Sequence, residues 1–388
     1  RLRTLLVDRR YAILNEFTRG ESRHGSTRNR RRLHHGMARQ EETRAQRIDG
    51  RPRQRNWAAA PIMDLQGLIT PTDMSFITAQ LDIPEPVYPD DWVLSIGGQM
   101  ERPIQLTLEE LQKFPGRTVR AVTECAGNDS DFFDYEQERK PKPSRASKSD
   151  HDAMSKLREK HSVGTTEDSD LYIESSTMGV LSSGEFTGVS LRTVLEKAGL
   201  NSSAVSIRAE DFDTGWPSAV TQYRPAGTTG VDYVDPGIIN YDKSLPLYKA
   251  LDPDTILAWA HNGEYLRHLH GAPVRLIVPG WSGNWWVRWL QEIEVMDHMP
   301  GLYHQTHYFV YGDSQDDPNL TMLTALGVKS IITDPRDEDS PLLRGSHAVR
   351  GLAWSGQGRI ERVEISIDGG ETWTDAHIEE PREKWLWV

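Results

Sequence analysis

Apolar and polar positions alternate in short bursts along this chain, and each burst is bounded by glycine, proline or aspartate. Trp92 to Met100 (WVLSIGGQM) reads as a strand running into a Gly-Gly turn, and Thr118 to Asn128 (TVRAVTECAGN) reads as a second strand with Cys125 at its end. Between them, Thr107-Leu-Glu-Glu110 ahead of Leu111 has the spacing of a capping box, which predicts a short helix ending before Pro115. Ser190 to Gly199 predicts another short helix, with Ser190 as N-cap and Gly199 as its stop. Pro273 to Trp281 (PVRLIVPGW) is expected as a strand, and Val287 to Met296 (VRWLQEIEVM) continues with alternating apolar residues. Helices and strands mixed in this way imply an α+β first domain.

From about Thr321 the pattern changes. SIITDP, HAVRGLAWSG and RIERVEISIDGGETW are short strand-like runs separated by turn residues, which predicts a second, all-β domain of sandwich type. It is too short for seven strands, and the chain stops within the apolar segment EKWLWV, so the sandwich is expected to be incomplete. The prolines and paired aspartates of PEPVYPDDW mark the entry to the first domain, whose start is expected near residue 64. The expected layout is a basic arm over 1–63, a first domain over 64–318 with a solvated insertion at 140–170, and the β domain over 319–388.

Charge sharpens the picture of the arm. Residues 1–56 hold sixteen Arg, no Lys and six acids, a net of +10, so the formal charge of -12 for the whole chain leaves -22 for the rest. An Arg-rich stretch with so little apolar material does not offset its chain entropy, and disorder is expected there. A nucleic-acid-binding arm is the functional alternative, set against the acidity of the remainder. Arg9-Arg10 lacks a following apolar segment and cleavage site, so no export signal is expected. No apolar run approaches the twenty residues of a membrane span. One cysteine in 388 residues excludes an internal disulfide and any four-cysteine zinc or iron–sulfur site within the chain.

Three segments hold residues that could carry chemistry. Cys125 sits where a strand gives way to the Gly-containing turn Ala126-Gly127-Asn128, a place that can present a thiol to a ligand, though a lone cysteine also serves as a small buried apolar residue. His270 to Arg275 (HGAPVR) leads into Pro279 to Leu290 (PGWSGNWWVRWL), where Gly280 and Gly283 would let backbone N–H groups approach an anion. Arg275 and Arg288 would pair with phosphate. The plain alternative is four tryptophans in a core with solvated arginines. Ser366 to Trp373 (SIDGGETW) reads as a structural hairpin turn, and because it occurs once it argues against a propeller. His268-Leu-His270 suggests a metal pair, but no third ligand is evident nearby.

Taken in order, CAGN, HGAPVR, PGWSGNWWVRWL and WSGQGRIERVEISIDGGETW resemble the sulfite oxidase family of molybdenum-cofactor enzymes, over the stretch from about Pro71 to the last residue. The resemblance implies a mixed α/β cofactor domain followed by an immunoglobulin-like dimerisation domain, hence a homodimer, with one molybdopterin cofactor per chain. It makes Cys125 the thiolate ligand to molybdenum, for which a soft sulfur donor is suited. His270, Arg275, Trp286, Val287, Arg288 and Asp213 (in RAEDFD) become cofactor contacts, and Tyr308 (in HQTHYF) the active-site tyrosine.

Two departures bear on the substrate. Where the family has F-x-R-N-H this chain reads Phe76-Ile-Thr78-Ala-Gln80, and the arginine expected five residues after the cysteine is Ser130. Losing two charge-assisted contacts weakens oxyanion binding by roughly 3 kcal/mol or more, which argues against sulfite itself. The expected activity is oxygen-atom transfer to a small sulfur compound. With no C-x-x-C-H there is no attached haem, so electrons would leave to an external carrier such as a cytochrome. The alternatives are a sulfoxide or other oxo-substrate reductase, and a scaffold that has lost catalysis.

Overall fold

The alternating segment after Trp92 forms strand β1 (Val93–Gly98), whose Leu94 and Ile96 are buried while its neighbours are not. This is a computed structural model, and it describes residues 57–65, 67–128, 179–215, 222–223, 232–233, 237–306, 309–311, 321–335, 344–379 and 383–388. The arm 1–56, the insertion at 140–170, Ser130 and Tyr308 lie outside the described residues.

β1 pairs with β2 (Ile104–Thr107), which leads into helix α1 (Leu108–Gln112). The capping box at its start is formed: the Glu110 backbone N–H donates to the Thr107 hydroxyl and the Thr107 backbone N–H donates to the Glu110 carboxylate. Next come β3 (Gly116–Glu124), β4 (Leu181–Ser190) and helix α2 (Leu191–Ala198). Leu191, Val194, Leu195 and Ala198 form the buried stripe of α2, spaced as a helix facing a core requires. Its stop is Gly199 at φ +81, where an added Cβ would strike the Glu101 carboxyl. Ser190 stands at the N-cap position as expected, without the bond that usually goes with it. Its hydroxyl is buried without a partner.

β5 (Ser206–Gly215), β6 (Ile239–Pro246), β7 (Ile256–His261), β8 (Arg275–Ile277) and β9 (Leu290–Met296) complete two sheets. The first has the order β6-β5-β9-β1-β2, antiparallel except for the parallel pair β9–β1. The second is antiparallel, with β3 beside β4 and β4 beside β7; the free edge of β7 is shared by β8 and the short strand Glu264–Tyr265. One apolar core takes side chains from both sheets and from α2, including Leu94, Ile96, Ala121, Val194, Ile207, Ile256 and Ile293. The strand expected over 273–281 is cut to three residues, because Pro279 and Gly280 turn the chain into the tryptophan segment. Pairing also begins ahead of residue 64: Trp57–Ala58 lies antiparallel to Ile77–Thr78.

The C-terminal region is built from strands alone among its described residues. β10 (Lys329–Asp334) pairs with β11 (Arg350–Trp354), and Glu364–Ile365 pairs with Thr374–Asp375 across the Ser366–Trp373 turn. In that turn the Asp368 carboxylate accepts from the Glu371 and Thr372 backbone N–H groups, both at 3.0 Å, so it has the structural role expected. A small apolar cluster of Ile62, Val122, Leu181, Leu326, Trp354 and Trp387 joins this region to β3 and β4. All these elements fall in one compact unit, residues 55–388.

Candidate functional site

Cys125 is the first residue past β3. Its N–H donates to the Val180 carbonyl at 2.9 Å, and its carbonyl accepts from the Asn128 N–H at 3.1 Å, which closes the turn Cys125–Asn128. The thiol lies deep in the fold yet keeps part of its surface open to a cavity with about 600 Å³ of empty space, including its mouth. Burial pushes the thiol pKa up, and the N–H groups of Gly127 and Ala126 pull it back.

The fold brings further segments to this cavity. From β5 come Asp211 and Asp213, which share the inward parity of Ile207 and Ala209. Both neighbouring ladders slip beside them, between Asn240 and Asp242 on β6 and between Leu290 and Glu292 on β9. Such irregularities let a strand redirect side chains toward a site. The Asp213 carboxylate accepts from the Tyr241 N–H at 3.1 Å. Burial raises the pKa of both aspartates, and at Asp211 the neighbouring Asp213 adds to that rise.

HGAPVR places His270 and Arg275 on the wall. Gly271, at φ +102, is needed because a Cβ there would stand 2.9 Å from the Arg288 side chain. Burial holds His270 neutral, with its pKa lowered to about 4. Arg275 is lowered to about 9, by burial first and then by the nearby Arg288. Its contacts are long ones to backbone carbonyls, 3.4 Å to Trp286 and 3.4 Å to His270. Arg288 reaches the Leu269 carbonyl at 3.3 Å and stacks on Trp289 with 4.3 Å to the ring centroid. Neither arginine makes a salt bridge with a carboxylate among the described residues.

The tryptophans settle the alternative left open by sequence in an unexpected way. Trp285, Trp286 and Trp289 are core residues whose indole N–H groups donate to the carbonyls of Leu323, Trp281 and His268. The two arginines, however, are drawn in and face the cavity. Trp286 lines it, whereas the Val287 side chain is fully buried in the core and does not. Phe76, Thr78 and Gln80 line the cavity too, so the segment in which the family's cations are missing does reach the site. Among the described residues no three His, Cys, Asp or Glu side chains gather as a metal-ion site, so His268-Leu-His270 has no third ligand.

Sequence reasoning passed over Asp211, Tyr241 and Asn284. Asp211 was visible as an acid on the inward parity of an amphipathic strand. Nothing local marks the other two. Asn284 is buried, with its amide nitrogen lacking any partner, and Tyr241 donates to the Asn284 carbonyl at 2.5 Å. Beside the main cavity a smaller one shares Phe76, His270 and Arg275 and adds Thr123 and His261. The Thr123 hydroxyl and the His261 Nδ1 are also buried without partners.

Both regions of the chain match known protein families. The oxidoreductase molybdopterin binding domain matches residues 80–158 and 161–304, and the Mo-co oxidoreductase dimerisation domain matches residues 321–386. Sulfite oxidase of Gallus gallus is 31% identical over 351 residues, a span covering 86% of this chain and 65% of that protein. Nitrate reductase [NADH] 1 of Phaseolus vulgaris is 28% identical over 344 residues, covering 82% of this chain and 33% of that protein. The chain thus spans less than two thirds of the length of the curated relatives it matches. Among solved structures, that of the sulfane dehydrogenase SoxCD from Paracoccus pantotrophus superposes with a TM-score of 0.63 and 26% identity, covering 94% of this chain and 79% of that one. With both family domains matched in order, and the cysteine's cavity lined by residues ahead of the second, the chain belongs to the sulfite oxidase family of molybdopterin oxidoreductases.

Proposed function

We propose that this chain is a molybdenum-cofactor enzyme that oxidises a small sulfur compound and passes the electrons to a separate carrier. The observation that supports it best is the pair of half-buried arginines, Arg275 and Arg288, which face the cavity of Cys125 and make no salt bridge to a carboxylate among the described residues. Drawing a cation partly out of water without a salt bridge is costly, and the cost is offset when an anionic ligand arrives.

The residues present fit molybdopterin. Arg275 and Arg288 suit its phosphate and oxygen atoms, since guanidinium groups bind such anions through paired N–H donors. The Asn284 amide, unsatisfied as it stands, would donate to a carbonyl or ring nitrogen of the pterin, and Asp213 would accept from its N–H edge. Cys125 would ligate molybdenum; the binding itself would displace the thiol proton that burial now retains. Tyr308, Val287 through its backbone, and Trp286 through its ring would complete the set. When bound, the cofactor supplies two-electron oxygen-atom chemistry. Around it, neutral His270 and the apolar Phe76, Leu269 and Phe309 limit water, while Thr78 and Gln80 offer neutral hydrogen bonds where the substrate would lie.

Thr78 in place of a cation favours a sulfur substrate with less concentrated negative charge than sulfite, and a sulfane sulfur compound meets that description. The relative named sulfane dehydrogenase supports this choice. The C-terminal domain would join two chains as a homodimer, and the carrier would be a cytochrome. A reductase of an oxo-substrate is the second reading, favoured by the nitrate reductases among the relatives. The test is to measure molybdenum and pterin in protein produced with molybdate. Sulfane compounds, sulfite, sulfoxides and nitrate are then assayed with artificial electron carriers. About one molybdenum per chain with turnover on the sulfane compounds is expected; protein without molybdenum would sink the proposal, and turnover on nitrate or sulfoxide alone would select the second reading.

A further inference from the structure

The residue before the cysteine is an acid, and it has no exposed surface. Glu124 ends β3, where a strand on the inward side normally carries an apolar residue. Its carboxylate is held by three donors. Oε1 accepts from the Asn128 side-chain amide at 2.9 Å and from the Lys329 ammonium at 3.0 Å, and Oε2 accepts from the Trp354 indole N–H at 2.9 Å.

These donors come from two places. Asn128 belongs to the cysteine's own turn: its N–H closes that turn on the Cys125 carbonyl, and its side-chain oxygen accepts from the Val180 N–H at 3.2 Å. Lys329 and Trp354 belong to the C-terminal domain, at the first residue of β10 and the last of β11, where they face one another in register. Trp354 is also fully buried, in the small apolar cluster that joins the C-terminal domain to β3 and β4. Neither Lys329 nor Trp354 lines the cavity. The carboxylate is therefore a joint: one oxygen shared between the turn and the C-terminal domain, the other given wholly to that domain.

We infer that Glu124 is a positioning residue through which the seating of the C-terminal domain sets the conformation of the Cys125 turn. If Trp354 or Lys329 is lost, a buried carboxylate is left short of a donor. It then turns toward water or another donor and releases the Asn128 amide. The turn that presents the thiol loosens as a result. The inference rests on the proposed ligand role of Cys125 only for its consequence in catalysis; the mechanical link can be tested without metal.

The chain's single cysteine makes that test clean, because a thiol reagent reports on Cys125 alone. The full chain, produced without molybdate, is treated with iodoacetamide as wild type, Trp354→Phe, Lys329→Met and Trp385→Phe. The last is a matched control: Trp385 donates its indole N–H to the Asp254 carboxylate at 2.8 Å, a bond of the same kind to a carboxylate outside the turn, and the variant keeps the Trp385 carbonyl that accepts from the Val122 N–H at 2.8 Å. Trp354→Phe and Lys329→Met are expected to alkylate about tenfold faster than wild type, and Trp385→Phe within about twofold at a similar loss of thermal stability. Equal acceleration in all three variants, or none in Trp354→Phe and Lys329→Met, overturns the inference. Molybdenum per chain, measured in parallel in protein grown with molybdate, keeps the two ideas apart. A wild type without molybdenum defeats the proposed function and leaves the alkylation contrast standing, whereas a loaded wild type without that contrast defeats the inference alone.

Discussion

Arg208 and Arg288 lie in the same part of the fold and meet opposite surroundings. Arg208, on β5, is half-buried and already paired with Glu210 and with Asp242, the latter at 2.8 Å. Burial works against its charge, but the two carboxylates more than offset that and raise its pKa. For Arg288 burial wins, and Asp213 and Asp211 nearby only moderate the fall. Burial wins at Arg275 too, and there the charge of Arg288 adds to the fall. An arginine whose partners are supplied by the protein is part of the architecture, and one that the protein has buried and left short is part of a binding site.

The largest test of that contrast is Cys125→Ser, which should remove turnover by more than about 100-fold, beyond what changes outside a metal's direct ligands cost. Molybdenum content and activity measured together check it. Next, Arg275→Met and Arg288→Met are expected to reduce cofactor retention about 10- to 100-fold while the cofactor-free chain unfolds at the same or a higher denaturant concentration. Arg208→Met should do the reverse, lowering stability by about 1–3 kcal/mol through its stranded carboxylates and leaving the cofactor content intact. Cofactor loss from Arg208→Met at unchanged stability would break the comparison.

A smaller effect is expected from placing a cation where the substrate would lie. Thr78→Arg should lower the KM for sulfite about tenfold without improving that for a sulfane compound, since only the compact oxyanion gains a charge-assisted bond.

The pH dependence comes last. His261 and His304 have pKa values lowered to about 3, and His270 to about 4, by burial first in each case. In the unfolded chain each takes up a proton near pH 6.5. A base with a depressed folded pKa contributes stability above the unfolded value and loses it as the pH falls. The urea midpoint should therefore drop from pH 6.5 downward, by on the order of 1 kcal/mol per pH unit for each histidine. His261→Gln should flatten that slope. An unchanged midpoint between pH 7 and pH 5 would mean that these histidines titrate in the folded chain as in the unfolded one, and His270 would then bring a further positive charge to the cavity below about pH 6.5.

Much of the site was legible before any fold was known. Cys125, His270, Arg275 and Arg288 stand in short segments whose order identifies the family, and all four reach one cavity. The capping box at Thr107 and the glycine stop at Gly199 were readable because each depends on a few adjacent residues. Ser190 does stand at the N-cap position, but its hydroxyl makes no capping bond, because a serine at that spacing does not show where its hydroxyl points. Asp211 was overlooked although its parity on β5 gave it away. Asn284 and Tyr241 had no local mark, since what matters is that the amide of one lacks a partner and the hydroxyl of the other meets its carbonyl, 43 positions apart in the chain.

By itself the sequence determined the local grammar: strand periods, turns, caps, the single thiol and the order of family motifs, all of which depend on neighbours a few positions apart. Only the tertiary structure decided which charges would be satisfied. Arg208 met Asp242 across two strands, Arg288 met an open cavity, and Glu124 met Lys329 and Trp354 from more than 200 positions away. The physical reason is that a buried charge is stabilised or stranded by groups brought together in space, and pairings at such separations leave no period or spacing in the chain to be read.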